Sequence, residues 1–214
     1  MPTCLPGSGR ATLGYMGNVD RAAQVYGRET WRYSRARPHG LRESLLADQR
    51  AAIVEFAQPR ATDRVLDVGR GAGKIAALLR PSVATISGID ACAEMLAIAR
   101  PWLDDVVQAR LETLELGREF DLVVCCGVLD FVDDAGAALR AIRRHLAPHG
   151  RAVIAAASLS AIGVAYALVR RLQGVRVHLY RPIHLSRLAA TTGLRCANVH
   201  GIPGGSIAAL LQAG

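Results

Sequence analysis

The chain has 214 residues and a mass of 22.8 kDa, the size of a single domain with a sizeable core. With 51% hydrophobic and 21% charged residues, and no internal repeat or low-complexity tract, it is neither a disordered nor a fibrous protein. The formal charge of +8 suits an anionic partner, but Lys74 is the only lysine and aromatics are 5% of residues, so the basic-aromatic interleaving of a nucleic-acid surface is missing and no specific nucleic acid is expected.

Residues 1–18 (MPTCLPGSGRATLGYMGN) are rich in Gly, Pro and Ser and carry no basic region followed by an apolar one, which predicts a flexible leader without an export signal and a cytoplasmic protein. Val19 to about Tyr33 and Leu41 to about Ala57 read as helices, the second ending before Pro59. Because they precede the first strand, residues 19–58 are expected to form a helical lid over a core at 59–157.

Val65–Lys74 (VLDVGRGAGK) is a buried strand running into a glycine-rich turn. A P-loop would need glycine at Val68 and a hydroxyl at Ile75. A dinucleotide fingerprint starting at Gly69 and Gly71 would need its third glycine at Lys74. Asp67, at the end of the strand, would repel a pyrophosphate but suits a ligand that carries positive charge and no phosphate. Strand-like and helix-like runs then alternate: ATISGID and CAEMLAIAR; DVVQA; FDLVVCC and a helix from about Asp133 to Leu146, with Asp133 and Asp134 as N-caps; and RAVIAAA. Asp90 closes its strand 19 residues after Gly71, where an acidic group can accept from both ribose hydroxyls of a nucleoside.

Ala152–Val169 is an uncharged run of 18 residues, but it is built largely of Ala, Ser and Gly and reads as a core strand followed by a partly buried helix, not a membrane span. After it come an extended stretch at Val175–Leu179, a helix from about Ser186 to Thr192, and short strands around Leu194–Val199 and Ser206–Leu211. Alternation of this kind gives a parallel sheet with crossover helices, an α/β layered fold. Cys4, Cys92, Cys125, Cys126 and Cys196 are odd in number and have no C-x-x-C spacing, which reads as reduced, mostly buried thiols with no metal site.

Four motifs carry a resemblance over roughly residues 19–214: Asp67-Val68-Gly69-Arg70-Gly71-Ala72-Gly73, Gly88-Ile89-Asp90, the departing Gln108-Ala109-Arg110-Leu111-Glu112, and Phe120–Phe131 (FDLVVCCGVLDF). In their order and spacing the chain resembles class I S-adenosylmethionine-dependent methyltransferases of the type 11 small-molecule family. The resemblance implies a Rossmann-like fold, with a mostly parallel seven-stranded sheet, helices on both faces and an N-terminal helical lid, and S-adenosylmethionine as cofactor. It implies that the backbone at Gly69, Gly71 and Gly73 holds the methionine moiety, that Asp67 supports its ammonium, and that Asp90 takes the ribose. Ala91 and Met95 then flank the adenine, Leu111 packs on it, and Cys126 and Gly127 line the cofactor through backbone. Arg110 stands where the family often has an acid and cannot accept from the adenine amino group, leaving Glu112 or a backbone carbonyl as its replacement. Tyr26, in the helix VDRAAQVY, is similar to the tyrosine that closes over the cofactor.

Methyl transfer from a sulfonium to O, N or C is an in-line displacement in which positioning supplies much of the acceleration and a base is optional. Asp130, His178 and His184 are the candidate proton acceptors, the histidines lying in an acceptor-side segment at 158–193. Residues 151–214 hold seven arginines and no acid, which points to an anionic or carrier-bound small-molecule acceptor held near Arg170, Arg171, Arg176, Arg181 and Arg187. A non-methylating S-adenosylmethionine-binding enzyme, a noncatalytic partner and a nucleic-acid methyltransferase are the alternatives, the last without an N-P-P-Y-like loop after Val123–Cys126. The oligomeric state, the acceptor and the atom methylated are not written in the sequence.

Overall fold

The computed structural model describes residues 16–30, 41–69 and 71–214. Most of the expected leader, the end of the first expected helix and Arg70 lie outside the described residues. The elements are α1 (Asn18–Arg28), α2 (Leu41–Ala57), β1 (Arg64–Val68), α3 (Lys74–Leu79), β2 (Thr85–Asp90), α4 (Ala93–Ala99), β3 (Asp105–Gln108), β4 (Phe120–Cys126), α5 (Ala135–His145), β5 (Leu146–Ala157), α6 (Ala161–Leu172), α7 (Pro182–Ala190), β6 (Leu194–Ile202) and β7 (Ser206–Ala213).

The seven strands form one sheet in the order β3-β2-β1-β4-β5-β7-β6, with β1 to β5 parallel and β7 antiparallel to both its neighbours. Helices cover both faces, so the central strands are apolar on successive residues instead of alternating. On one face Leu66, Val68, Val123 and Cys125 pack with Leu139 and Ile142 of α5 and Leu185 of α7. On the other, Val65, Leu122 and Val124 pack with Ile53 and Ala57 of α2 and Ala76 and Leu79 of α3.

This second face corrects the expectation of a two-helix lid. The last turns of α2 belong to the core, and Arg151 of β5 donates to the Ala57 carbonyl at 2.8 Å while pairing with Asp63 at 2.7 Å, all three groups being buried. Of the two helices, α1 covers the cavity beside Gly71, while α2 lines the cavity adjoining it. The leader also ends earlier than expected: Asn18 opens α1, is buried, and its Nδ2 donates to the carbonyls of Phe131 and Arg176 at 2.7 and 2.9 Å.

Other boundaries move for local reasons. Asp134 alone caps α5, accepting from Ala137 N–H, while Asp133 turns away to accept from Asn18 N–H and to pair with Arg176. The helix stops at His145, and Pro148 and Gly150 lie inside β5. His145 is held by its neighbours: Leu116 N–H donates to Nε2 at 3.0 Å, which leaves the ring proton on Nδ1 to reach the Ala141 carbonyl at 2.7 Å. Val175–Leu179 forms no strand; it is held by the Asn18 amide at Arg176 and by the His178 N–H donated to the Asp130 carbonyl, and an isolated bridge from Tyr180 to Ser158 follows it. The following helix begins at Pro182, four residues before the expected start, because proline suits the first helical turn.

Candidate active site

Strand register decides which residues meet. Val68 pairs with Ile89 on one side and Cys125 on the other, so the turns after β1, β2 and β4 emerge side by side at the carboxyl end of the sheet. The chain order reverses between β1 and β4, the place where open α/β sheets bind ligands.

The glycines of the first turn have separate reasons. Gly69 has φ +63°, and a Cβ there would meet the Val128 side chain at 1.8 Å. Gly73, also left-handed, opens α3 and lies so close to Ala99 that a Cβ would approach its Cβ at 2.9 Å; it does not line the cavity and serves packing. Gly71 has φ +49° and a Cβ there would meet nothing within 4 Å, so this position borders open space.

That space is a cavity of about 240 Å³ roofed by Val19, Ala22, Ala23 and Tyr26 of α1. Its walls include Gly69, Gly71, Asp90, Ala91, Met95, Leu111, Glu112, Cys126 and Gly127, bringing together nearly all the expected cofactor residues. The Asp90 carboxylate accepts from Gly71 N–H at 3.2 Å and from Cys92 N–H at 2.9 Å, which holds it at the junction of two turns. Glu112 places Oε2 in a buried position with no hydrogen-bond partner, an arrangement that costs energy unless a ligand donor completes it. Arg110 swings outward to pair with Asp20 of α1 and so ties the roof to the wall.

A second cavity adjoins the first, the two sharing Tyr26, Gly69, Gly71, Cys126, Gly127 and Tyr166. Asp67 and Asp130 line it together with Ile53, Ile75, Ile162 and Arg170. Asp130 is only 4% exposed; its Oδ1 accepts from Ala157 N–H at 2.8 Å. Burial pushes its carboxyl up to about 7, the Ala157 bond opposing only in part. The thiols of Cys125 and Cys126 are pushed well up by burial and by the nearby carboxylates, which leaves them as packing and lining groups.

His178 and His184 are not brought to either cavity. Both are exposed, His178 in the stretch before α7 and His184 in its first turn. The arginine cluster is dispersed as well: Arg176 pairs with Asp133 at 3.2 Å and Arg170 with Glu29 at 3.4 Å, acids contributed from outside the acid-free segment. Of the five arginines only Arg170 reaches the second cavity.

Sequence reasoning missed Tyr166, whose hydroxyl lies 3.0 Å from that of Tyr26 and which lines both cavities. The buried Arg170 guanidinium stacks 4.7 Å from the Tyr26 ring and 5.6 Å from the Tyr166 ring. The available signal was Tyr166 as the sole aromatic of the uncharged run, one helical turn before Arg170.

A family model described as a methyltransferase domain matches residues 33–199. The ubiquinone biosynthesis O-methyltransferase of Xylella fastidiosa (strain 9a5c) is 30% identical over 186 residues, which span 77% of this chain and 75% of that protein. The enzyme of the same name from Pseudomonas putida (strain GB-1) is 27% identical over 213 residues, spanning 87% and 88%. In fold, the S-adenosylhomocysteine complex of DhpI aligns with TM-score 0.71 at 20% identity over 92% of this chain and 98% of that one. Magnesium protoporphyrin IX methyltransferase from Synechocystis PCC 6803 aligns with TM-score 0.72 at 13% identity over 95% and 100%. With this sheet order, these turns and these matches, the chain belongs to the methyltransferase-domain family and is a class I S-adenosylmethionine-dependent methyltransferase of the type 11 kind.

Proposed function

We propose that the chain O-methylates a hydroxyl of a mainly apolar small molecule seated in the second cavity, with Asp130 as the proton acceptor. One observation carries the reading: a buried carboxyl poised near neutrality lines a largely apolar cavity that opens, across Gly69, Gly71, Cys126 and Gly127, onto the nucleoside-type cavity. The similarity to ubiquinone biosynthesis O-methyltransferases supports the choice of oxygen.

The residues present fit the cofactor. Open space beside Gly71, the unpartnered Glu112 oxygen, and a lining whose charges are Asp90, Glu112 and Arg110, the last neutralised by Asp20, suit a cationic ligand without phosphate. Asp90 would hold the ribose, Ala91, Met95 and Leu111 the adenine faces, Glu112 the adenine amino group, and Asp67 and Tyr26 the methionine end. When bound, S-adenosylmethionine supplies an already activated methyl group. The chain's part is to orient the acceptor, exclude water beneath α1, and hold the acceptor's proton on Asp130 Oδ2 while Oδ1 stays bonded to Ala157 N–H. Arg170, already engaged with Glu29 and Gln173, shapes the cavity and is not assigned to an acceptor anion.

The test is mass spectrometry after incubation with S-adenosylmethionine and a panel of phenols, catechols, amines and carboxylates. A gain of one methyl on hydroxyl acceptors, abolished in Asp130→Asn with cofactor affinity retained, is expected. Methylation confined to amines or carboxylates, or full activity in Asp130→Asn, would overturn the assignment.

A further inference from the structure

We infer that Arg170 is a positioning residue for the cofactor, acting through Tyr26 as the centre of a clasp between the end of α1 and the end of α6. The two helix ends offer matched groups. On α6, Tyr166 and Arg170 are four residues apart and so share a face, and Gln173 caps the same end. On α1, Tyr26 and the capping Glu29 are three residues apart. The Arg170 guanidinium lies over both tyrosine rings, 4.7 Å from that of Tyr26 and 5.6 Å from that of Tyr166. Its Nη1 donates to Glu29 Oε2 at 3.4 Å and to Gln173 Oε1 at 2.8 Å, while Gln173 Nε2 donates to Glu29 Oε1 at 3.2 Å. Both oxygens of the Glu29 carboxylate are thus held by the last turn of α6.

Stability alone does not account for a cation in this place. Arg170 is buried, and a buried ion pair is often matched or exceeded in stability by apolar residues of the same volume. What the pair determines is where one ring sits. Tyr26 meets Phe131 edge-on at 5.7 Å and shares a hydroxyl contact with Tyr166 at 3.0 Å; the guanidinium over its face adds a cation–π contact that fixes the plane of the ring. Tyr26 lines the cofactor cavity, whereas Arg170, Glu29 and Gln173 do not. Arg170 therefore sets the shape of the cofactor's roof without touching the space the cofactor occupies. The start of α1 is tied separately, by Asn18 to Phe131 and Arg176 and by Asp20 to Arg110, so the clasp secures the other end, the one that carries Tyr26. It acts on the cofactor whichever acceptor is used.

The experiment is titration calorimetry of the full chain with S-adenosylhomocysteine, beside urea unfolding. The paired variant Arg170→Met, Glu29→Gln removes both charges together and strands neither. It should unfold at a urea midpoint close to that of the wild type, yet bind S-adenosylhomocysteine at least about fivefold more weakly, the lower end of ordinary coupling between separate sites. In a Tyr26→Ala background the same two changes should weaken binding no further, because the ring they act through is gone. Wild-type affinity in the folded paired variant, or an equal further loss in the Tyr26→Ala background, would overturn the inference. If the paired variant does not fold, Glu29→Gln alone, at a half-buried residue that lines neither cavity, decides by the same two comparisons. No acceptor enters these measurements, so their failure is distinct from a failure of the proposed O-methylation.

Discussion

Asp130 joins two demands that act in opposite directions on pH. As a base it must be ionised, so kcat/KM should climb as pH rises through about 7, and Asp130→Asn should lower kcat by about 10²–10⁴ across the range. For stability the sign is reversed. Burial raises the folded-state pKa above the unfolded one, so the contribution of this group is fully present below the ordinary carboxylate range and is lost as pH rises through about 7. Asp130→Asn keeps Oδ1 for the Ala157 N–H and removes the buried charge. Calorimetry should then show a Tm above the wild type by several degrees at pH 8 and a gap that narrows toward pH 5, at about 2–4 °C per kcal/mol for a chain of this size. A Tm difference independent of pH would mean that the carboxyl titrates normally. In the cofactor cavity, Asp90→Ala should weaken S-adenosylhomocysteine binding at least about tenfold by titration calorimetry, since it removes a charged acceptor and loosens two turns at once.

Among the elements, α1 is the one placed to open and close. Its attachments combine polar links, Asn18 to Phe131 and Arg176, Asp20 to Arg110, and Tyr26 to Tyr166 beneath Arg170, with a small apolar cluster in which Ala22, Val25 and Tyr26 pack on Phe131 and Val175. Apart from Asn18, Ala22 is its only fully buried residue, so little apolar burial opposes local opening. Hydrogen exchange should show residues 19–28 gaining protection when S-adenosylhomocysteine binds, while residues 50–57 of α2, anchored by Ile53, Ala57 and Arg151, change little. Equal protection of α1 without ligand would make it a permanent roof. Tyr26 and Tyr166 join α1 to α6 and line both cavities, so opening of the roof is expected to move a wall of the second cavity as well.

At the scale of the whole molecule, stability depends on the buried joint between α2, β1 and β5. Arg151 Nη2 and Asp63 Oδ2 are 2.7 Å apart and both residues are buried, with the Ala57 carbonyl and Arg60 N–H taking up further hydrogen-bonding capacity. Removing one partner strands the other charge, so Arg151→Ala should destabilise the fold by about 3–5 kcal/mol in urea unfolding, far more than loss of the exposed, solvent-screened Arg64–Asp121 pair. A comparably small effect at both pairs would show that water reaches the joint.

What the sequence determined by itself is local and periodic. The apolar runs Val65–Val68, Phe120–Cys126 and Ala152–Ala157 require burial on both sides, which makes a parallel sheet under two helical layers. Asp67, Gly69, Gly71 and Asp90 are legible because a turn needing positive φ and a carboxylate one strand later are tied to their neighbours in the chain. Tertiary structure alone decided the rest, because long-range packing has no signature in a short window. It placed α2 in the core through Arg151, a residue more than 90 positions away, and turned Arg170 and Arg176 to acidic partners at the end of α1 and before α5. It left His178 and His184 in solvent and gave Asp130, one carboxylate among many in the sequence, the burial that raises its carboxyl to about 7.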